Sequence, residues 1–261
     1  MRLAVVQTAP VKGAEALNRA RARVLMSRSP ADVYVLPELA FSGYNFASRK
    51  EARARAEPAD GPSARWARDL CRSMGAHVLY GFPEVAGGRL YNAAALVGPR
   101  GLRGVYRKIH LFGKEKSFFN SGDAPGPVWR VGPFRLGVLI CFDWFFPETA
   151  RSLALTGADV LLHPSNLVLP HAPDAMITRC LENRVFAATA NRVGREDGAA
   201  GPLTFIGRSQ IVSPRGERLA RLGPAAVGVA VATIDPRAAR DKRLASGNDL
   251  FLERRPALYR L

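Results

Sequence analysis

Three residues stand where short apolar runs break off: Glu38 after VYVLP (33–37), Lys108 in YRKIHLF (106–112), and Cys141 after VLI (138–140) at the head of CFDWFFPE (141–148). The end of a strand, where it turns, is where open sheets expose reactive groups. A carboxylate, an ammonium and a thiol are the parts of covalent acyl transfer: a base to take the nucleophile's proton, the nucleophile itself, and a positive group for the developing oxyanion. A free thiol titrates near pH ~8.5 and needs a neighbouring base or cation to become thiolate at neutrality. Glu38 can take that proton and Lys108 can stabilise the resulting charge. The backbone N–H of Phe142, just after the thiol at a strand-to-helix turn, is the second donor expected to face the oxyanion. The sequence reads first as that of an enzyme.

Those residues need strands to carry them. Residues 2–7 predict a buried strand, 12–27 the helix that covers it, 31–38 the next strand, and 61–74 a helix with Trp66, Leu70 and Cys71 on one stripe. Strands follow over 77–82, 90–97 and 104–109, with GPRG (98–101) as the turn between the last two. The second half repeats the scheme: strand 134–141, a helix over 147–157 opened by proline and closed by glycine, strand 158–164, helix 173–184, strand 186–191, a hairpin over 206–219 around a PRG turn, and strand 228–235. ADVYVLP (31–37) and ADVLLHP (158–164) agree at four of seven positions. The echo predicts an α/β fold of two similar halves packed face to face as a layered sandwich. No Pro/Gly/Ser-rich linker separates the halves, so residues 1–261 are expected to form one domain.

Composition excludes several classes. Hydrophobic residues make up 48% of the 261, which rules out a disordered chain. No run approaches membrane-spanning length, and the opening residues are too briefly apolar for a signal peptide, so the expected address is the cytoplasm. Cys71, Cys141 and Cys180 contain no C-x-x-C pair, and His77, His110, His163 and His171 show no H-E-x-x-H spacing; neither a disulfide framework nor a metal site is expected. Cys71 and Cys180 lie in helical segments and read as inert buried thiols. A net charge of +16 raises a nucleic-acid reading, but the cations are scattered and no finger, RRM or KH signature accompanies them. Solvated helix faces are the simpler account, and no nucleic-acid partner is expected.

The strings PE (37–38), YRKIHLF (106–112) and CFDWFFPE (141–148) resemble the nitrilase superfamily of carbon–nitrogen hydrolases, in the family's order of Glu, Lys and Cys. LENR (181–184), ANRVG (190–194) and GRSQIVSPRG (207–216) resemble its second-half signatures. The resemblance implies a four-layer α-β-β-α sandwich, commonly paired into a homodimer or larger homo-oligomer, with no metal or organic cofactor. It further implies that Cys141 attacks an amide or nitrile carbon, that Glu38 shuttles the proton, and that Glu115 is the family's second glutamate, orienting Lys108 and contacting substrate. Asn166 could face substrate or cap a loop; Tyr44, Trp144 and Phe145 could wall the pocket or fill core. Glu148 and Arg151 are expected to pair in the elbow after Cys141. The leading expectation is hydrolysis of small aliphatic nitriles or amides through a thioester. The alternatives are N-carbamoyl hydrolysis and, in a different class, a basic nucleic-acid-binding protein that keeps the hydrolase scaffold.

Overall fold

In chain order the first half comprises β1 (Arg2–Gln7), α1 (Glu15–Ser27), β2 (Val33–Val35), α2 (Arg49–Ala54), α3 (Pro62–Met74), β3 (His77–Ala86), β4 (Arg89–Gly98), β5 (Gly101–Arg107) and α4 (Glu115–Phe118) in this computed structural model, which describes residues 1–260. There follow β6 (Val128–Val131), β7 (Phe134–Val138), α5 (Pro147–Leu155), β8 (Val160–Pro164), α6 (Ala172–Asn183), β9 (Phe186–Ala190), β10 (Val193–Glu196), β11 (Leu203–Ile206), β12 (Gln210–Val212), β13 (Arg218–Arg221), β14 (Gly228–Thr233), α7 (Arg237–Arg240), β15 (Arg243–Ala245) and β16 (Asn248–Asp249). Two six-stranded sheets run in the orders β14-β1-β2-β3-β4-β5 and β13-β12-β9-β8-β7-β6. Each has a parallel trio at its centre, β1-β2-β3 and β7-β8-β9, with antiparallel strands outside.

Alternation along the strands builds the layers. Leu3, Val5, Val33 and Val35 face the second sheet, where they meet Leu136, Val138, Val160 and Leu162. The residues between them, Ala4, Val6, Tyr34 and Leu36, turn outward onto Ala22 and Met26 of α1 and Ala67 and Leu70 of α3. Leu161 and Ala187 do the same in the other half, against Leu153 of α5 and Met176 of α6. The result is an α-β-β-α sandwich. Strands buried on both faces carry continuous apolar runs, which is why they were legible.

The ADV echo has a structural cause. Asp32 bonds backbone N–H to Arg2 O (2.8 Å), accepts the Arg2 N–H on its carboxylate (2.7 Å), and offers its carbonyl to His77 N–H (2.8 Å). Asp159 repeats all three bonds with Arg135 (2.8 and 3.0 Å) and Phe186 (3.0 Å). Each aspartate thus ties the starts of three strands together, and its strand delivers a turn: Glu38 in one half, Ser165 in the other.

Some boundaries differ from expectation. The strand expected over 104–109 ends at Arg107, so Lys108 lies just beyond it, and the strand expected over 134–141 ends at Val138, three residues short of Cys141. The PRG hairpin joins β12 to β13; Ile206 instead ends β11, paired with β10. Helices α2 and α4 went unpredicted because six and four residues are too few to display a helical period. Among the described residues no helix is long and apolar enough to cross a membrane.

Candidate active site

Glu38 sits in the turn after β2, where its neighbour Leu39 takes a φ of 45°. This turn presses so closely on β3 that a Cβ on Gly81 would come within 2.5 Å of the Glu38 Cα, so only glycine fits. Gly81 N–H donates to Pro37 O (3.0 Å) and Ala40 N–H to Gly81 O (2.9 Å), locking the approach. The carboxylate is fully buried. Its Oε1 accepts from Lys108 Nζ and from Asn92 Nδ2, both at 2.7 Å, while Oε2 has no partner. Burial is the strongest influence on this acid, and although Lys108 opposes it, the pKa rises to about 7.

Lys108 is anchored on β4, its backbone N–H donating to Asn92 O at 2.8 Å. Its buried ammonium donates to Glu38 Oε1 (2.7 Å) and reaches both oxygens of Glu115 (2.9 Å each). Burial alone would drive it toward the neutral amine, but the charges of Glu115 and Glu38 outweigh that and raise its pKa. Lys108 is therefore a permanent cation. Glu115, at the start of α4, also accepts the Phe112 N–H (3.2 Å) and the Tyr44 hydroxyl (2.6 Å). Burial and the Glu115 charge push the Tyr44 phenol well up, so it acts there as a donor.

Cys141 opens a 3-10 turn over Cys141–Phe145 and takes a φ of 42°, costly for a residue with a Cβ. Asp143 holds the turn: its Oδ2 accepts from Ile140 N–H (2.9 Å) and Tyr106 O–H (2.8 Å), its Oδ1 from His110 N–H (3.2 Å), with His110 Nδ1 at 2.8 Å. From the sheet, His163 Nε2 lies 3.0 Å from the Cys141 carbonyl. A carbonyl only accepts, so Nε2 carries the proton and Nδ1 faces Thr189 Oγ1 at 3.1 Å. Burial lowers the His163 pKa to about 4, keeping the ring neutral. The thiol itself is raised by burial and by Glu38, against the pull of Lys108, and rests protonated.

Cys141 borders a cavity of about 50 Å³ walled by Phe112, Phe142, Trp144, Phe145 and Leu169, with Asn166 beside it. No lining side chain carries a charge. Phe145 and Leu169, 55% and 52% exposed, stand at its mouth.

Of the residues singled out from sequence, Glu38, Lys108, Glu115 and Tyr44 form one bonded cluster, while Cys141, Phe142, Trp144 and Asn166 share the cavity. The charges of Glu38, Lys108 and Glu115 all act on the Cys141 thiol, which joins the two groups. Asn166 both lines the cavity and donates to the Glu38 carbonyl at 2.8 Å. The expected Glu148–Arg151 pair does not form: Glu148 is exposed and Arg151 donates to Glu182 O at 2.7 Å. Asp143 shapes the elbow in its place, its carboxylate accepting the Ile140 N–H that leads into the turn. Asn92, Asp143 and His163 were missed. Each is a polar residue set in an apolar run, a signal that points to a buried partner without saying which one.

These layers are those of carbon–nitrogen hydrolases, and the chain belongs to that family, whose model matches residues 2–243. It is 48% identical over 234 residues to a nitrilase of Pyrococcus abyssi, covering 89% of this chain and 88% of that one. It is 33% identical over 253 residues to an N-carbamoylputrescine amidase of Solanum lycopersicum, covering 88% and 83%. Its backbone matches an amidase of Nesterenkonia AN1 from the nitrilase superfamily with a TM-score of 0.78 at 27% identity, covering 93% and 94%. The protein is accordingly an enzyme of the nitrilase and amidase type.

Proposed function

We propose that the protein hydrolyses small aliphatic nitriles or amides, releasing ammonia and a carboxylic acid by way of a thioester on Cys141. The observation that carries this reading is the unpartnered Oε2 of a buried Glu38 whose other oxygen is held by a cation that also acts on the thiol. With Oε1 occupied, Oε2 is the oxygen free to move a proton.

For an amide, the Cys141 S–H proton passes to Glu38 as sulfur bonds to the carbonyl carbon. The resulting oxyanion is met by the Lys108 ammonium and the Phe142 N–H, which lies in the first turn of a helical segment and lacks an intrahelical partner. Glu38 returns the proton to nitrogen, the C–N bond breaks, ammonia leaves and the thioester remains. Water then gives Glu38 a proton and attacks the thioester; collapse frees the acid and restores the thiol. A nitrile forms a thioimidate first and must take up water before ammonia leaves. The raised thiol pKa fits this order, in which proton transfer accompanies attack.

The uncharged cavity wall supports an apolar acyl group. A substrate carboxylate buried there would lack a partner, at a cost of several kcal/mol. A second reading, cleavage of an N-carbamoyl amine, is favoured by the likeness to the tomato amidase. Ammonia and carbon dioxide assays separate the two, using aliphatic nitriles, monoamides, dicarboxylic acid monoamides and N-carbamoyl amines. Ammonia without carbon dioxide from uncharged amides or nitriles is the expected result; carbon dioxide release as the fastest reaction overturns it.

A further inference from the structure

We propose that Glu196 is a positioning residue for the Lys108–Glu115 pair, acting through Tyr44; the proposal rests on the reading of that pair given above. The β10–β11 hairpin, which begins within the ANRVG stretch, comes from the second half of the chain. It meets the loop over 43–46, which belongs to the first.

The contact is built from buried groups. Arg192, 2% exposed, donates Nη1 to Glu196 Oε2 (2.6 Å) and Nη2 to Pro10 O (3.2 Å), with its guanidinium 4.1 Å over the Phe205 ring. One oxygen of Glu196 is thereby fixed. The other, Oε1, accepts the backbone N–H groups of Tyr44 (2.8 Å) and Asn45 (2.6 Å). Asn45 returns the contact through Nδ2, to Glu196 O (3.1 Å) and Gly201 O (2.6 Å). The Tyr44 ring meets Phe205 edge-on, centroids 6.0 Å apart. Its backbone held by Glu196 and its ring by Phe205, Tyr44 directs its hydroxyl onto Glu115 Oε1 at 2.6 Å.

That bond matters because Glu115 spends both oxygens on Lys108. A short O–H donor on Oε1 draws carboxylate charge toward the phenol, leaving the ammonium freer for Glu38 and the oxyanion. Bonds in such a chain reinforce one another in a dry interior. Releasing the Tyr44 backbone would lose the bond without changing the side chain of Glu38, Lys108 or Cys141.

A double-mutant cycle tests this. Glu196→Ala, Tyr44→Phe and the double variant are compared for kcat and KM with propionamide, for the pH profile of kcat/KM, and for the rate of Cys141 alkylation by iodoacetamide, mapped by peptide mass. Expected is a fall of about tenfold or more in kcat/KM for Glu196→Ala, mainly in kcat. Its pH profile should shift the same way as that of Tyr44→Phe. The double variant should be no more than about twofold worse than the worse single one. Glu196→Gln, whose amide oxygen can still accept both N–H groups while its NH2 faces the Arg192 guanidinium, should recover part of the rate. Effects that multiply overturn the proposal, as does a Glu196→Ala enzyme of lower stability whose kcat, pH profile and alkylation rate match wild type. If the alanine variant does not fold, Glu196→Asp, which keeps the charge but withdraws the acceptor by one methylene, replaces it in the cycle with the same criteria. A wild type that releases no ammonia from any amide or nitrile would sink the functional reading, while the alkylation cycle would still decide the Glu196–Tyr44 coupling.

Discussion

Glu38 has to be ionised to take a proton, yet it is buried where ionisation is disfavoured. With its pKa near 7, kcat/KM should fall about tenfold for each pH unit below that value and level off above it. Stability runs the other way. The folded protein keeps this proton up to about pH 7, whereas an unfolded carboxyl releases it near 4.5, so in that window the folded state binds more protons and stability declines as pH rises. Glu38→Gln, neutral at every pH, still leaves Lys108 paired with Glu115. Its melting temperature at pH 8 should equal or exceed wild type while ammonia release is lost; a drop of several degrees, or near-normal turnover, contradicts this account of the carboxylate. Glu38, Lys108 and Cys141 could be read from sequence because each interrupts an apolar run and together they complete one chemistry. Asn92 and His163 interrupt such runs too, but their partners, Glu38 and the Cys141 carbonyl, lie 54 and 22 residues away, and no local pattern reports a contact at that range.

At the scale of elements, the β2 turn and β3 act as one unit, with Gly81 as the point of closest approach. Gly81→Ala should push the Glu38 backbone away and cost about 1–3 kcal/mol in overpacking. Circular dichroism should remain native while kcat falls on the order of a hundredfold, since a displacement near 1 Å is enough for that; an active Gly81→Ala enzyme would mean that the turn tolerates movement. The central strands were legible because burial on both faces leaves continuous apolar runs. What sequence did not reveal was where those strands stop. Lys108 falls just past β5 although its N–H still bonds to Asn92 O on β4, and the chain leaves β7 before Cys141, where Asp143 takes up the Ile140 N–H. The Glu196 brace was invisible for a similar reason: ANRVG marks a strand but does not say which loop it meets.

The whole molecule carries a charge of +16, with only six lysines among its 38 cationic residues. Several arginines lie in exposed pairs such as Arg237–Asp235 and Arg243–Asp241, surface contacts worth little individually. Filter binding should find sequence-blind nucleic-acid retention that disappears steeply with salt; tight, salt-tolerant binding would revive the nucleic-acid reading of this scaffold. The two halves, each knotted by its own aspartate, bring a carboxylate from one sheet to a thiol from the other, and the catalytic account depends on that meeting. Intact-protein mass spectrometry of the whole chain, acid-quenched during turnover of propionamide, tests it most directly. The account requires a propionyl adduct that maps to the Cys141 peptide, reverses with hydroxylamine, and is absent together with ammonia release in Cys141→Ala. An adduct on any other residue, or ammonia released at the wild-type rate by Cys141→Ala, would contradict it.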